Sequence, residues 1–219
     1  MKTPLLIATR NEGKVREFAD MLSAVGDFDV HSLSDVDATG FEPAETGRTF
    51  RVNACFKAEA YAKRLNMLAL ADDSGLSVDA LGGAPGVFSA RFAKMAGAGE
   101  GDAANNAHLL RRLRKIPDDQ RRAHFACVLA LAGPERGTLF TAAGRFDGRI
   151  LHEPRGDNGF GYDPLFYVDD AGQTSAEMTS EEKHARSHRG QATRRLQSLI
   201  AKFGLGKSNR AINADTWTR

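Results

Sequence analysis

The sequence predicts an α/β fold, and three observations carry that prediction. Residues 4–9 (PLLIAT) form a short continuous apolar run, as expected of a central strand. Directly after it, Val15, Phe18, Ala19, Leu22 and Val25 recur at the spacing of one helix face. Strand-like and helix-like segments keep alternating as far as residue 73, which argues for a sheet that is at least partly parallel.

The elements follow in order. Gly26 closes the first helix. Residues 28–33 (FDVHSL) are the next strand, and residues 37–48 a turn-rich loop around Pro43. A second helix begins near Thr49, with Phe50, Ala54, Ala58, Tyr61 and Leu65 on one face. Residues 67–73 (MLALADD) are a third strand, and the Gly-rich stretch 75–92 is irregular but too apolar for a free linker. Residues 102–116 are helical and stop before Pro117. Residues 123–132 and 137–151 are adjacent strands, antiparallel because only a short Gly- and Pro-containing turn joins them. A loop at 152–164 leads to a strand at 165–168. A last helix spans 187–203, with Leu196, Leu199, Ile200 and Phe203 as its stripe. The remainder lacks periodicity, so the expected organisation is one domain over residues 1–205 and a disordered tail at 206–219.

Composition narrows the class. With 219 residues, 42% apolar and 26% charged, the chain reads as an ordinary soluble domain with ample core. A net charge of +2 is too near balance to argue for wrapping nucleic acid, and the Arg-rich stretches at 111–115 and 192–197 read as solvated helix faces. Cys55 and Cys127 lie among apolar neighbours and read as small buried hydrophobes in a reducing compartment. The N-terminal apolar run is too short for a signal peptide, and nothing approaches the ~20 apolar residues of a spanning helix. The cytoplasm is therefore the expected compartment, with no membrane partner.

Chemistry concentrates in a few places. The third apolar run ends in two adjacent carboxylates, Asp72 and Asp73. A buried carboxylate is costly and a neighbouring one makes it worse, so a positive partner is expected. Strand alternation sends the two to opposite faces. At the C-terminal end of a parallel strand they would lie at the crevice where α/β proteins bind ligands. Mg²⁺ suits such a place, because it is held by one or two carboxylates plus substrate phosphates.

The other candidates point the same way. ATRNEGK (8–14) sits at a strand-to-helix junction, where helix N–H groups favour anions, and Asn11 and Lys14 add a donor and a cation. Lys14 opposes the helix dipole there, a conflict that a ligand phosphate resolves. Glu45 precedes the second helix, on which Asn53 and Lys57 share a face. Arg91 follows a Gly/Pro-rich loop and is placed to reach phosphate or a facing protomer. In RGDNGFGYDPLF (155–166), three glycines surround Phe160 and Tyr162, which suits close approach to a flat ligand, and Asp163 before a proline is expected to be extended. Ser187 is a candidate N-cap for the last helix, with Lys183, His188 and Arg189 around its start. Each feature alone also has a plain structural reading: an N-cap, a polar helix face, a capped turn, a tight hairpin or an Arg/His-rich surface turn.

Five blocks taken together resemble the inosine triphosphate pyrophosphatase family, including the bacterial dITP/XTP pyrophosphatases. They are ATRNEGK, ETGRTFRVNACFKA, ADDSGLSVDALGGAPGVFSARFA, GFGYDPLF and AEMTSEEKHARSHRGQA, in order and with compatible spacing from about residue 5 to 203. The resemblance implies a long central mixed sheet flanked by helices, two lobes with the active site in the cleft between them, and a homodimer. It implies Mg²⁺-dependent hydrolysis of noncanonical purine triphosphates (ITP, dITP, XTP) to monophosphate and pyrophosphate. Residue by residue, Thr9, Arg10, Asn11, Glu12, Gly13 and Lys14 match the phosphate-binding loop, and Lys57 and Ser74 match substrate contacts. Glu45 and Asp73 match metal ligands; Asp73, with Asp72 beside it, also matches the proton acceptor. Phe160, Gly161, Tyr162 and Asp163 match the base-binding segment, and Lys183, His188 and Arg189 match residues that read the 6-oxo purine edge. The chain departs from the family pattern at Ala44, where many relatives are acidic, and at Arg10, where a smaller residue is frequent. Two other readings are a pyrophosphatase for other modified triphosphates and a non-catalytic nucleotide sensor.

Overall fold

The computed structural model describes residues 2–38 and 40–206. In chain order the elements are β1 (Thr3–Ile7), α1 (Glu12–Ser23), β2 (Phe28–His31), α2 (Phe50–Leu65), β3 (Leu68–Val78), α3 (Phe92–Met95), α4 (Asp102–Arg112), β4 (Arg122–Gly133), β5 (Gly137–Ile150), β6 (Phe166–Val168), β7 (Gln173–Thr174), α5 (Ser180–Arg186) and α6 (His188–Phe203). The strands form one seven-stranded mixed sheet in the order β2-β1-β3-β4-β5-β6-β7. Thus the α/β class and the long mixed sheet are as expected. β1 is parallel to both β2 and β3, and every later pair is antiparallel. Among the described residues no helix is long and apolar enough to cross a membrane.

Side-chain alternation assigns each helix a face. Leu68 and Leu70 of β3 join Phe18 and Leu22 of α1 and Leu196 and Ile200 of α6 in one core. Ala69 and Ala71 point the other way and join Ala54, Ala58 and Tyr61 of α2. The small alanines allow α2 to lie close to the sheet. Beyond these cores, Leu76, Val78, Phe125 and Phe146 belong to a separate cluster with Leu109 of α4 and Phe166 of β6. Caps set the helix starts: Asn11, Thr49 and Ser187 each accept a backbone N–H of the following turn, as residues of these types do at N-caps.

The structure corrects several boundaries. β3 does not end at Asp72 and Asp73 but runs on to Val78, because β4 pairs with it over its whole length, from Ala69 opposite Ala132 to Val78 opposite Ala123. What stops early is β1, whose last residue, Ile7, stands opposite Leu70. β2 and β3 thus lie on opposite sides of β1, so the crevice beside the carboxylates is a topological switch point. α1 ends at Ser23, before Gly26; Gly26 is needed for packing, since a Cβ there would meet the Phe28 ring at 2.6 Å. α4 stops at Arg112, short of residue 116. The fully buried Arg121 donates to Leu113 O at 2.9 Å and to Ile150 O and Leu151 O, drawing the chain out of the helix. Asp163 is not extended; it opens a short 3-10 turn. The two-residue β7 and the seven-residue α5 were not foreseen. Gly206 belongs to the fold, its carbonyl accepting from Asp27 N at 2.9 Å; the rest of the expected tail, 207–219, lies outside the described residues.

Candidate active site

Two adjoining cavities flank the middle of β3. The larger, about 560 Å³, is charged: Arg10, Lys14, Lys57 and Arg91 face Glu42, Glu45, Asp72 and Asp73 across it. The smaller, about 210 Å³, is an aromatic slot that includes Phe125, Phe160 and Tyr162 and is rimmed by Asp163, Lys183, His188 and Arg189. Lys14, Ser74 and Ala90 line both, so chamber and slot are one continuous groove.

The β3 pleat explains how adjacent carboxylates coexist. Asp72 follows Leu70 onto the α1 face and meets Lys14 Nζ at 2.6 Å. Asp73 follows Ala71 onto the α2 face, where its Oδ2 accepts from Asn53 Nδ2 at 2.9 Å. Both are buried, at 5% and 8% exposure, but their environments differ in sign. Burial opposes ionisation of Asp72, yet the charges of Lys14, Arg189 and Lys57 outweigh it and hold the carboxyl below its usual range. At Asp73 burial dominates, with the Asn53 hydrogen bond and Lys57 offsetting it only partly against Glu45 and Asp72, and the carboxyl is raised to about 6. The expected opposite facing is therefore present, and it makes the two groups chemically unequal.

Lys57 is tied to the same centre. Its ammonium pairs with Glu45 and donates to the Asp72 carbonyl at 3.2 Å. Burial works against its charge, but Glu45 prevails and raises its pKa. Glu45 also lies 3.8 Å from Arg91 Nη1. Arg10, 69% exposed at its side chain, pairs with Glu42 at 3.2 Å on the chamber rim. No three His, Cys, Asp or Glu side chains among the described residues gather as a self-sufficient metal cage. Glu45 and Asp73 nevertheless line one chamber as hard oxygen donors, which fits a cation whose shell is completed by phosphate oxygens and water.

The 8–14 segment is only partly brought in. Thr9, Arg10 and Lys14 line the chamber. The Asn11 side-chain oxygen is used as the N-cap, accepting from Lys14 N at 3.1 Å. Glu12 lines a neighbouring surface hollow instead, and Gly13 is an exposed helix residue.

The slot owes its shape to the segment after β5. The Phe160 ring is 56% exposed, with Lys183 Nζ 5.1 Å and the Arg189 guanidinium carbon 5.7 Å from its centroid. Asp163 Oδ2 accepts from Phe160 N at 2.8 Å and from Lys183 Nζ at 2.5 Å. Gly159 makes this possible, since a Cβ there would stand 2.3 Å from the same carboxylate oxygen. Tyr162 is buried and donates to Ser89 O at 2.8 Å. His188 stacks on Phe125 with ring centroids 5.0 Å apart. Burial, aided by Arg189, Lys183 and Lys14, lowers its pKa to about 3, so it is neutral at physiological pH.

Sequence reasoning missed the first turns of α4. Asn105 bonds Ala93 N and Ala90 O, and Asp102 and Asn106 both bond the backbone of Gly161. The available signal was the pair Asn105-Asn106 inside an otherwise good helix, because asparagine is a poor helix former that needs a tertiary reason there.

Comparison with known proteins bears on this site. A family model described as the Ham1 family matches residues 5–199. A protein of Exiguobacterium sibiricum named dITP/XTP pyrophosphatase is 51% identical over 199 residues, 91% of this chain and 98% of its own length. One of Bacillus subtilis with the same name is 49% identical over 195 residues, 89% of this chain and 96% of its own. Among solved structures, the Staphylococcus aureus Ham1 protein superposes with a TM-score of 0.82 at 40% identity, covering 91% of this chain and 99% of its own.

Proposed function

The chain belongs to the Ham1 family, and from that membership we propose that it hydrolyses noncanonical purine nucleoside triphosphates (ITP, dITP, XTP) to the monophosphate and pyrophosphate. The observation that carries the reading is the single groove with unlike halves, a charged chamber and an aromatic slot joined at Lys14, Ser74 and Ala90. A triphosphate fits the first and a flat base the second.

Each residue then has a task. Glu45 and Asp73 would hold the cation, proposed to be Mg²⁺, which when bound offsets phosphate charge and polarises the scissile anhydride. Lys57 exchanges Glu45 for phosphate oxygens, and Lys14 keeps Asp72 and turns its remaining N–H donors to phosphate. Asp73 would also accept a proton from the attacking water. Asp72, held ionised by Lys14, anchors that ammonium at the chamber–slot junction. Water attacks the α-phosphorus, the bond to the bridging oxygen breaks, and pyrophosphate leaves.

In the slot, Phe160 offers a stacking face, and Lys183, His188 and Arg189 offer donors to a 6-keto oxygen. Neutral His188 still carries one ring N–H. Adenine presents an amino group instead and would leave donors unpaired, the strong way to reject an analogue. Guanine shares the keto group, so this contact does not reject GTP. The two lobes and the homodimer implied by the resemblance remain part of the proposal.

The test is a substrate panel with Mg²⁺. ITP and XTP should release pyrophosphate far faster than ATP or GTP. Release of inorganic phosphate alone, or tight binding of ITP without turnover, would replace the reading with a phosphatase or a sensor.

A further inference from the structure

We infer that Asp102 and Asn106 are positioning residues for the nucleobase, a role that rests on the reading of the slot given above. They stand one helical turn apart on α4 and grip the same residue. Asp102 Oδ2 accepts from Gly161 N at 2.7 Å, and Asn106 Nδ2 donates to Gly161 O at 2.9 Å. Both peptide planes around Gly161 are thereby held by side chains.

The grip answers a local need. Gly161 has a φ of +64°, the left-handed region, in a turn outside any helix or strand that would fix it. A Cβ there would meet nothing within 4 Å, so the demand is on the backbone angle and not on space. The residue before it is Phe160. Its own N–H is held by Asp163, so its backbone is fixed on both sides and its ring is aimed as a rigid platform. A stacking ring left on a free Gly-rich turn would have to be ordered each time a base bound, at a cost in affinity.

The helix that carries the grip is itself anchored to another part of the groove wall. Asn105 Oδ1 accepts from Ala93 N at 2.9 Å, and its Nδ2 donates to Ala90 O at 3.2 Å. Ala90 lines both cavities. One helix end therefore ties two lining segments together, and their separation follows from the geometry of α4. The Asn106 Oδ1 is buried with no hydrogen-bond partner among the described residues.

The experiment compares Asn106→Leu, Asp102→Ala and Asp102→Asn with the parent enzyme, using ITP and ATP. Losing one of these hydrogen bonds should raise KM for ITP about tenfold while kcat stays within about twofold. The ITP-over-ATP preference in kcat/KM should shrink in parallel. Asp102→Asn should restore the parent KM, because its amide oxygen still accepts from Gly161. An unchanged KM and preference would overturn the inference. So would equal losses on both substrates through kcat, which would mark a helix end that matters only for folding. Hydrogen exchange of residues 159–163 provides a readout independent of substrate identity. Faster exchange in Asn106→Leu and Asp102→Ala supports the grip, and unchanged exchange overturns it. Failure of the parent protein to turn over ITP would instead count against the proposed function.

Discussion

The charged chamber and the aromatic slot share Lys14, Ser74 and Ala90, yet they handle charge in opposite ways. In the chamber, ammonium and guanidinium groups are matched to carboxylates: Lys14 to Asp72, Lys57 and Arg91 to Glu45, Arg10 to Glu42. On the proposed function, a metal-bound triphosphate would take over the Glu45 pairs of Lys57 and Arg91. In the slot, burial keeps His188 neutral against Phe125, and the carboxylates are already engaged, Asp163 by Lys183 and a backbone N–H and Asp102 by the Gly161 N–H. On the proposed function this difference is a division of labour: the chamber would supply binding strength and chemistry to any triphosphate, and the slot choice among bases.

Four changes test that division. The largest effect is expected from Asp73→Asn, which keeps the shape and the Asn53 contact but removes the proposed proton acceptor and one of the two proposed metal carboxylates. It should lower kcat about 10³-fold for every substrate, the middle of the range for general-base catalysis, with base preference intact, as read by pyrophosphate release. A change in preference would mean that chamber and slot are not separable.

Next comes the slot's histidine. With a folded pKa near 3 against an ordinary 6.5, His188 binds fewer protons in the folded state than in the unfolded state between those values. Its contribution is therefore complete above pH 6.5 and is lost as pH falls. Lowering the pH from 7 to 5 should cost about 2 kcal/mol from this group. His188→Gln should flatten that part of the stability curve in urea titrations. An unchanged slope would show that the slot accommodates a charged imidazole.

Smaller still is Phe160→Ala, which removes the stacking face; KM for ITP should rise about tenfold with kcat nearly unchanged. Smallest is Glu12→Gln. Glu12 belongs to the 8–14 segment but lines an outer surface hollow that meets the chamber at Thr9, Arg10 and Leu33 and does not line the chamber itself. Its activity and stability should stay within about 0.5 kcal/mol of the parent, whereas a large loss would extend the phosphate site beyond the chamber.

What was legible in the sequence was periodic. The stripes of α1, α2 and α6 and the short apolar runs of β1 and β3 announced an alternating α/β fold, and all of these elements are present. The pleat rule also foretold that Asp72 and Asp73 would face apart, and their different partners follow from it. The end of β3 was not legible. Aspartate, serine and glycine look like a turn, and only the partners from α1, α2 and β4 make them strand residues. Asp163 was misread because the proline after it suggested extension, whereas its bonds to Phe160 N and Lys183 hold a tight turn. The α4 contacts were invisible for a further reason: they join residues 55 and 59 positions apart, a distance that no local pattern spans.

The most direct measurement compares ITP with ATP on two variants. Pyrophosphate release is followed for the parent, Asp73→Asn and Phe160→Ala with Mg²⁺. The division between chamber and slot predicts that Asp73→Asn slows both substrates by the same factor, while Phe160→Ala, which lets the base drift from the donors of Lys183, His188 and Arg189, narrows the gap between them and spares kcat. A parent that does not prefer ITP, or an Asp73→Asn variant with full activity, would contradict it.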